Sequence, residues 1–223
     1  MDVAARFSEL VRGPEATLAL DEPALLIAAH DHAVDVDAEL RSLDELAASV
    51  AADDAAALAH ALFVEHGFAG NTVDYTDPRN SYLDEVRRRR LGLPITLSIL
   101  MIEIGRRRGM ALVGVGMPGH FLVASDDGFV DPFHGGAVLD AAGARRLFER
   151  THPGAPFFEH YLDPVGPRSV LSRVLANLVG TFMARTPMQA VWALQLRLEI
   201  PGLPEHERRQ GEDALRRLRA RLN

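Results

Sequence analysis

The segment Gly92-Leu93-Pro94-Ile95-Thr96-Leu97-Ser98-Ile99-Leu100-Met101-Ile102-Glu103-Ile104 constrains this chain more than any other. It reads as a helix that is apolar nearly all round, and such a helix has to be enclosed by the rest of the protein. Pro94 suits the first helical turn, where its missing N–H leaves no bond unmade. Arg106–Arg108 and Gly109 end the helix. The run is shorter than the roughly 20 apolar residues of a membrane span. The rest of the chain must therefore wrap around it.

Helical patterns precede it. Asp21 is expected to cap a helix with Pro23 in its first turn and Leu25, Leu26 and Ala29 on one face. Asp37 opens a second, with Leu40, Leu43, Leu46, Ala47 and Val50 at helical spacing. Asp53 or Asp54 caps a third, through Leu58, Leu62 and Phe63, and Gly67 ends it. Turn-formers fill 67–80, a loop expected to be anchored by Phe68 and Tyr75. Ser81 then caps a short helix, with Asp84 as its capping-box acid, that runs to Arg87–Arg90. The two arginine runs read as solvated helix ends.

After the enclosed helix the pattern turns to strands. Ala111–Val115, Phe121–Ser125 and Phe129–Val130 are short and β-rich, with a turn at Asp126-Asp127-Gly128 and another at Gly135-Gly136. Beyond Pro164, helices are expected at 169–183, 188–198 and 205–222, punctuated by Pro187, Pro201 and Pro204. The sum is an α+β fold. Its parts are a helical N-terminal layer (1–66), a core of one buried helix against a small antiparallel sheet (67–165), and a helical C-terminal region (166–223).

Composition then narrows the chemistry. The 223 residues include no cysteine, which excludes disulfides, thiolate zinc sites and thiol nucleophiles together. The net charge of −7 gives no global attraction to nucleic acid or anionic lipid. The opening residues lack the layout of a secretion signal. A cytoplasmic protein is expected, with neither nucleic acid nor membrane as partner.

Two motifs invite chemistry. Gly114-Val115-Gly116-Met117-Pro118-Gly119 matches G-x-G-x-x-G, but a dinucleotide site needs a helix directly after it. Here the strand-like Phe121-Leu122-Val123 follows, so the string reads as a bend between strands. His120 and Asp131 are the stronger pair. In a tight hairpin Asp131 falls opposite Leu122 or Ala124, on the face that His120 shares, because side chains alternate along strands. A carboxylate there can hold the imidazole's tautomer and raise its basicity. The same pair also suits a buried, purely structural histidine. His134 could join them as a metal ligand, although no standard ligand spacing supports it.

The pieces taken together resemble a known family. They are Phe68-Ala69-Gly70-Asn71, Tyr75, Asp77-Pro78, Asn80-Ser81-Tyr82-Leu83, Arg88-Arg89-Arg90, Gly92 through Ser98, Pro118-Gly119-His120-Phe121, and Asp131-Pro132-Phe133-His134-Gly135-Gly136. In this order they resemble the bacterial SirB1 family, whose core belongs to the transglutaminase-like superfamily. The resemblance is close over 60–140. It implies a papain-like core in which a helix start carries a nucleophilic cysteine and the strands behind it carry a histidine and an aspartate. The superfamily signature places that cysteine two residues after a glycine. Gly92 takes the glycine's place, so Pro94 stands where the cysteine would be, as is common in the SirB1 family. His120 and Asp131 match the other two triad members. The family's C-terminal helices resemble tetratricopeptide repeats. The roughly fifty residues after Ser169 leave space for one hairpin and a terminal helix, at about 34 residues per repeat.

Two functional readings follow. One is a non-catalytic module binding a protein or peptide, its cleft lined by Asn71, Tyr75, Asn80, Pro94, Gly119, His120, Asp131 and His134. The other is a hydrolase or acyl-transfer enzyme in which Thr96 or Ser98, or a metal held by His120, Asp131 and His134, replaces the thiol. Thr96 and Ser98 are equally well explained by bonds back to helix carbonyls. No cofactor is expected.

Overall fold

The structure, a computed structural model, describes residues 2–220. In chain order the elements are α1 (Val3–Arg12), α2 (Asp21–Ala29), α3 (Val36–Ser49), α4 (Ala55–His60, continued by a wider turn over Ala61–Glu65), β1 (Ala69–Gly70), α5 (Leu83–Arg89) and β2 (Leu91–Gly92). They continue with α6 (Pro94–Arg107), β3 (Val113–Val115), β4 (Leu122–Ser125), β5 (Gly128–Asp131), β6 (Ala137–Leu139), α7 (Ala141–Thr151) and β7 (Pro164–Val165). Three helices close the chain: α8 (Pro167–Arg185), α9 (Ala190–Glu199) and α10 (Glu205–Arg219). The expected α+β fold is what the chain adopts. The last helix was expected to reach Leu222, which lies outside the described residues.

Every residue of α6 from Pro94 to Gly105 is buried. Around it, one continuous core draws on all parts of the chain, from Phe7 of α1 through Leu43 of α3, Val123 of β4 and Leu175 of α8 to Leu218 of α10. The five-stranded sheet is antiparallel throughout, in the order β6-β5-β4-β3-β7. One of its faces turns Phe121, Val123 and Val130 into that core. The other turns Val115, Met117 and Leu122 onto Ala144, Leu147 and Phe148 of α7, forming a second, smaller core. The sheet is thus covered on both sides. In the C-terminal region α8 pairs with α9, and α10 packs on α9. No described helix is long and apolar enough to cross a membrane.

Several local expectations shift. Asp35, not Asp37, caps α3, accepting the Ala38 N–H, while Asp54 caps α4 as expected. Ser81 closes a 3-10 turn over Pro78–Ser81, and Tyr82 precedes α5 without a side-chain cap. Asp84 therefore forms no capping box and instead meets His32 Nε2 at 2.6 Å. Gly114 lies inside β3 and strand β4 follows the glycine-rich string, so no dinucleotide turn exists there.

The arginine runs are not merely solvated. Arg107 reaches Asp21 (2.8 Å), Asp44 (2.7 Å) and Glu103 (3.2 Å), and Arg106 reaches Asp21 and Glu103. Arg87 pairs with Glu39 of α3, and Arg89 with Asp77. Asp21 is therefore a tether between α2 and α6 rather than a helix cap. Glu103 also accepts the Leu20 N–H at 2.7 Å, fixing the start of α2 against α6. Burial, with Asp21 close by, pushes the Glu103 carboxyl above its ordinary range. Burial also pushes Asp21 up, but the Glu22 N–H and the Arg107 and Arg106 guanidiniums more than offset it and hold Asp21 low.

Replacing Arg107 with methionine would leave the two buried carboxylates with only the half-exposed Arg106 for a cation. The expected loss is about 3 kcal/mol, as for breaking a buried ion pair from one side. Arg88→Met removes only an exposed pair with Glu85 and should cost about 0.5 kcal/mol or less. Denaturant midpoints of the two variants would compare them, and equal losses would contradict the tether.

Candidate active-site remnant

The site starts from a tight turn. Gly119 has φ +68°, a conformation that favours glycine, and a side chain there would come within 2.7 Å of the His152 ring. The turn closes through the His120 N–H on the Met117 carbonyl at 3.1 Å. His120 consequently sits in the turn ahead of β4.

Asp131 ends β5. The hairpin register pairs Val123 with Val130 and Ala124 with Phe129, and one further step sets Asp131 opposite Leu122. That is one of the two registers expected. Its carboxylate is 2 % exposed. Oδ1 faces His120 Nε2 at 2.9 Å and accepts the backbone N–H groups of Phe133 (3.1 Å) and His134 (3.3 Å). Oδ2 faces His134 Nδ1 at 2.7 Å. Burial alone would raise the Asp131 carboxyl, but the hydrogen bonds and positive charge of His120 and His134 outweigh it and hold the carboxyl below its ordinary value. His134 is half exposed and stacks on His120 with ring centroids 5.4 Å apart. Phe133 stands edge-on to His120. It can do so because residue 70 is glycine, since a Cβ there would lie 2.5 Å from the Phe133 ring.

The donor atoms of His120, Asp131 and His134 lie within 4.8 Å of one another, a spacing that a metal ion could bridge. The donors that face one another already form hydrogen bonds within the trio.

With Asp131 engaging its Nε2, His120 lines a cleft of about 210 Å³. Tyr75, Pro94, Gly119 and His120 line it, as expected from the sequence, together with Ile95, Phe121, Arg173 and Asn177. The other four residues expected to line it, Asn71, Asn80, Asp131 and His134, do not. Asn71 and Asn80 are buried and bonded to each other at 3.0 Å. Asn71 Oδ1 accepts the Val73 and Asp74 N–H groups, and Asn80 Nδ2 donates to the Asp74 and Tyr75 carbonyls. They hold the backbone of the loop that carries Tyr75, and so act behind the cleft. Tyr75 itself is 49 % exposed at the cleft, unlike Phe68, which is the loop's buried anchor. Thr96 Oγ1 accepts the Leu93 N–H and donates to the Asn80 carbonyl at 2.6 Å. Ser98 Oγ donates to the Pro94 carbonyl at 2.8 Å and is fully buried. Neither hydroxyl lines the cleft with His120.

Arg173 and Asn177 are the residues that sequence reasoning misses. They lie one helical turn apart on α8, and that i, i+4 spacing of polar groups in an apolar helix is the signal that could have found them. A larger groove of about 440 Å³ runs between the 15–20 loop and β3, but its charged residues Glu15, Glu103 and Arg106 are already paired.

Residues 28–176 match the model of a family described as the transglutaminase-like superfamily. The chain belongs to the transglutaminase-like superfamily. The matched span takes in Pro94, His120, Asp131 and Arg173, and it ends one residue short of Asn177. Among similar proteins, a UPF0162 protein of Xylella fastidiosa is 42 % identical over 167 residues, covering 70 % of this chain and 59 % of that protein. The chain thus spans about three fifths of the Xylella relatives' length. A UPF0162 protein of Pseudomonas aeruginosa is 32 % identical over 207 residues, 86 % of this chain and 77 % of that protein. F-box only protein 21 of Homo sapiens is 29 % identical over 136 residues, 56 % of this chain but 21 % of that protein. No solved structure matches the chain significantly.

In this transglutaminase-like chain the aspartate's charge should be measurable through stability. The folded protein holds the Asp131 carboxyl below its unfolded value of about 3.9. The stabilisation is therefore complete above that pH and is lost as pH falls through the folded value. Asp131→Asn is expected to be about 2 kcal/mol less stable than the parent near neutral pH, with the gap closing below about pH 4. Denaturant midpoints across that range test it. A gap that does not change with pH would mean that the charge is not what His120 and His134 hold in place.

Proposed function

We propose that this chain is a recognition module of SirB1 type, which keeps the transglutaminase-like cleft and binds a protein or peptide segment in it without reacting with it. The observation that carries this reading is Pro94. It occupies the first position of α6, beside His120 in the cleft, at the place where the superfamily's signature puts the thiol. Proline within a peptide has no proton to lose and no free lone pair with which to attack. The hydroxyls nearest in sequence are committed to backbone partners. What remains is a small cleft with aromatic walls and a few convergent polar groups, the usual make-up of a ligand site. The net charge of −7 speaks for a protein or peptide partner over nucleic acid. A cytoplasmic setting fits a chain without cysteine.

The test restores the thiol. In Pro94→Cys, a cysteine would stand at the positive end of α6 beside His120, where both favour thiolate. Its alkylation rate against pH should reveal a pKa well below the ordinary value of about 8.5, and His120→Ala in the same background should return it toward that value. A thiol that titrates normally, or that iodoacetamide cannot reach in the folded protein, would show that the cleft is no longer a site. His120 and Asp131 would then be structural.

A further inference from the structure

We infer that Arg173 makes the cleft a subsite for a carboxylate of the bound peptide, which is either a chain terminus or an acidic side chain. The inference rests on the reading of the cleft as a recognition site and names the chemistry it selects.

Arg173 enters from α8 and lies over the Phe121 ring, with Cζ 5.3 Å from the centroid. Nη2 donates to the Met117 carbonyl at 3.0 Å and to the His120 carbonyl at 3.2 Å. One end of the guanidinium is thereby fixed to the turn that carries His120. The N–H groups on Nε and Nη1 have no acceptor among the described residues, and no described carboxylate lies within ion-pair distance. Other little-exposed arginines are paired: Arg107 with Asp21, Asp44 and Glu103, Arg89 with Asp77, and Arg197 with Glu207. Burial lowers the Arg173 pKa, yet a guanidinium stays charged in proteins. A part-buried cation without a counter-charge is costly to hold, and a ligand anion would relieve it.

The neighbouring groups say which anion. A guanidinium's planar fork matches a carboxylate through two parallel bonds. Asn177 and Tyr75 line the same cleft, and their side chains carry N–H and O–H donors for its oxygens. The Tyr75 and Phe121 rings, with Ile95, supply an apolar wall for the attached carbons. A space of about 210 Å³ accepts one side chain or one chain end rather than an extended polyanion.

The experiment uses the whole chain and follows the Arg173 Nε–H and Tyr75 ring signals by NMR. N-acetylglycine presents a terminal carboxylate, N-acetylglutamic acid α-amide presents a side-chain carboxylate, and N-acetylglycinamide presents neither. Saturable shifts are expected with one or both acids and none with the amide, and the tighter acid identifies the source. Arg173→Gln should weaken binding by about tenfold or more, the loss of a charge-assisted hydrogen bond, and Arg173→Lys should weaken it less. Should Arg173→Gln not fold, the comparison of acid with amide on the parent still decides. Equal binding of the amide, unchanged affinity in Arg173→Gln, tighter binding of inorganic phosphate than of either acid, or no shift with any acid would each overturn the assignment. A low thiol pKa in Pro94→Cys together with no acid binding would remove only the Arg173 assignment. Acid binding with an unreactive thiol would remove the retained-cleft reading and leave the carboxylate site standing.

Discussion

The enclosure of α6 is the constraint from which the rest of the structure follows. A helix buried from Pro94 to Gly105 needs apolar surface on all sides, and the chain supplies it from opposite directions. The N-terminal helices cover one flank, the sheet another, and α8 a third. With its sides enclosed, α6 meets the His120 cleft through its first turn, at Pro94 and Ile95. Thr96 accepts the Leu93 N–H and so secures the first turn, while Pro94 brings no N–H that would need a partner. The position of the site is thus a consequence of packing, before any catalytic history is considered.

Enclosing a helix this completely also forces charges inward, and the fold settles them in two ways. Behind α6, Asp21 and Glu103 are neutralised by Arg106 and Arg107, charges that do not change in the physiological range. At the cleft, Asp131 is answered by two imidazoles and two backbone N–H groups. The first arrangement ties helices together. The second holds the His120 ring in one orientation at the cleft, which is the service an orienting carboxylate gives a catalytic histidine. This orientation persists in a chain that has no thiol for the histidine to activate.

Sequence patterns reveal the parts governed by local rules. The all-round apolarity of α6, the hairpin turning at Asp126-Asp127 and the face shared by His120 and Asp131 are all local or nearly so. What escapes is non-local. Asp21 looks like a helix cap until the fold brings Arg106 and Arg107 to it, 85 residues on in the case of Arg106. Asn71 and Asn80 look like ligand groups because polar residues in a loop usually face out, yet here they tie the loop's own backbone. Helix α7 and strands β6 and β7 have no counterpart in the sequence reading, although Asp140 caps α7 and Ala144, Leu147 and Phe148 share one face. Three apolar residues among charged neighbours are a weak signal until the second face of the sheet requires a cover.

The charge balance of the cleft connects the missing nucleophile to the unpaired arginine. A thiolate beside an imidazolium would make the site's negative charge its own, and a nearby guanidinium would then find a counter-ion within the protein. Proline at position 94 brings no charge, so Arg173 stands in the cleft without that anion. Asp131 cannot serve, since its two oxygens are taken by His120, His134 and the turn. Arg173 is held by backbone carbonyls, which satisfy hydrogen-bond donors but leave net charge uncompensated. A cleft in this state gains most from a partner that carries the anion in with it. On the proposed recognition reading, an uncharged residue at position 94 and a guanidinium without a counter-charge point to the same ligand chemistry, a partner that brings its own carboxylate.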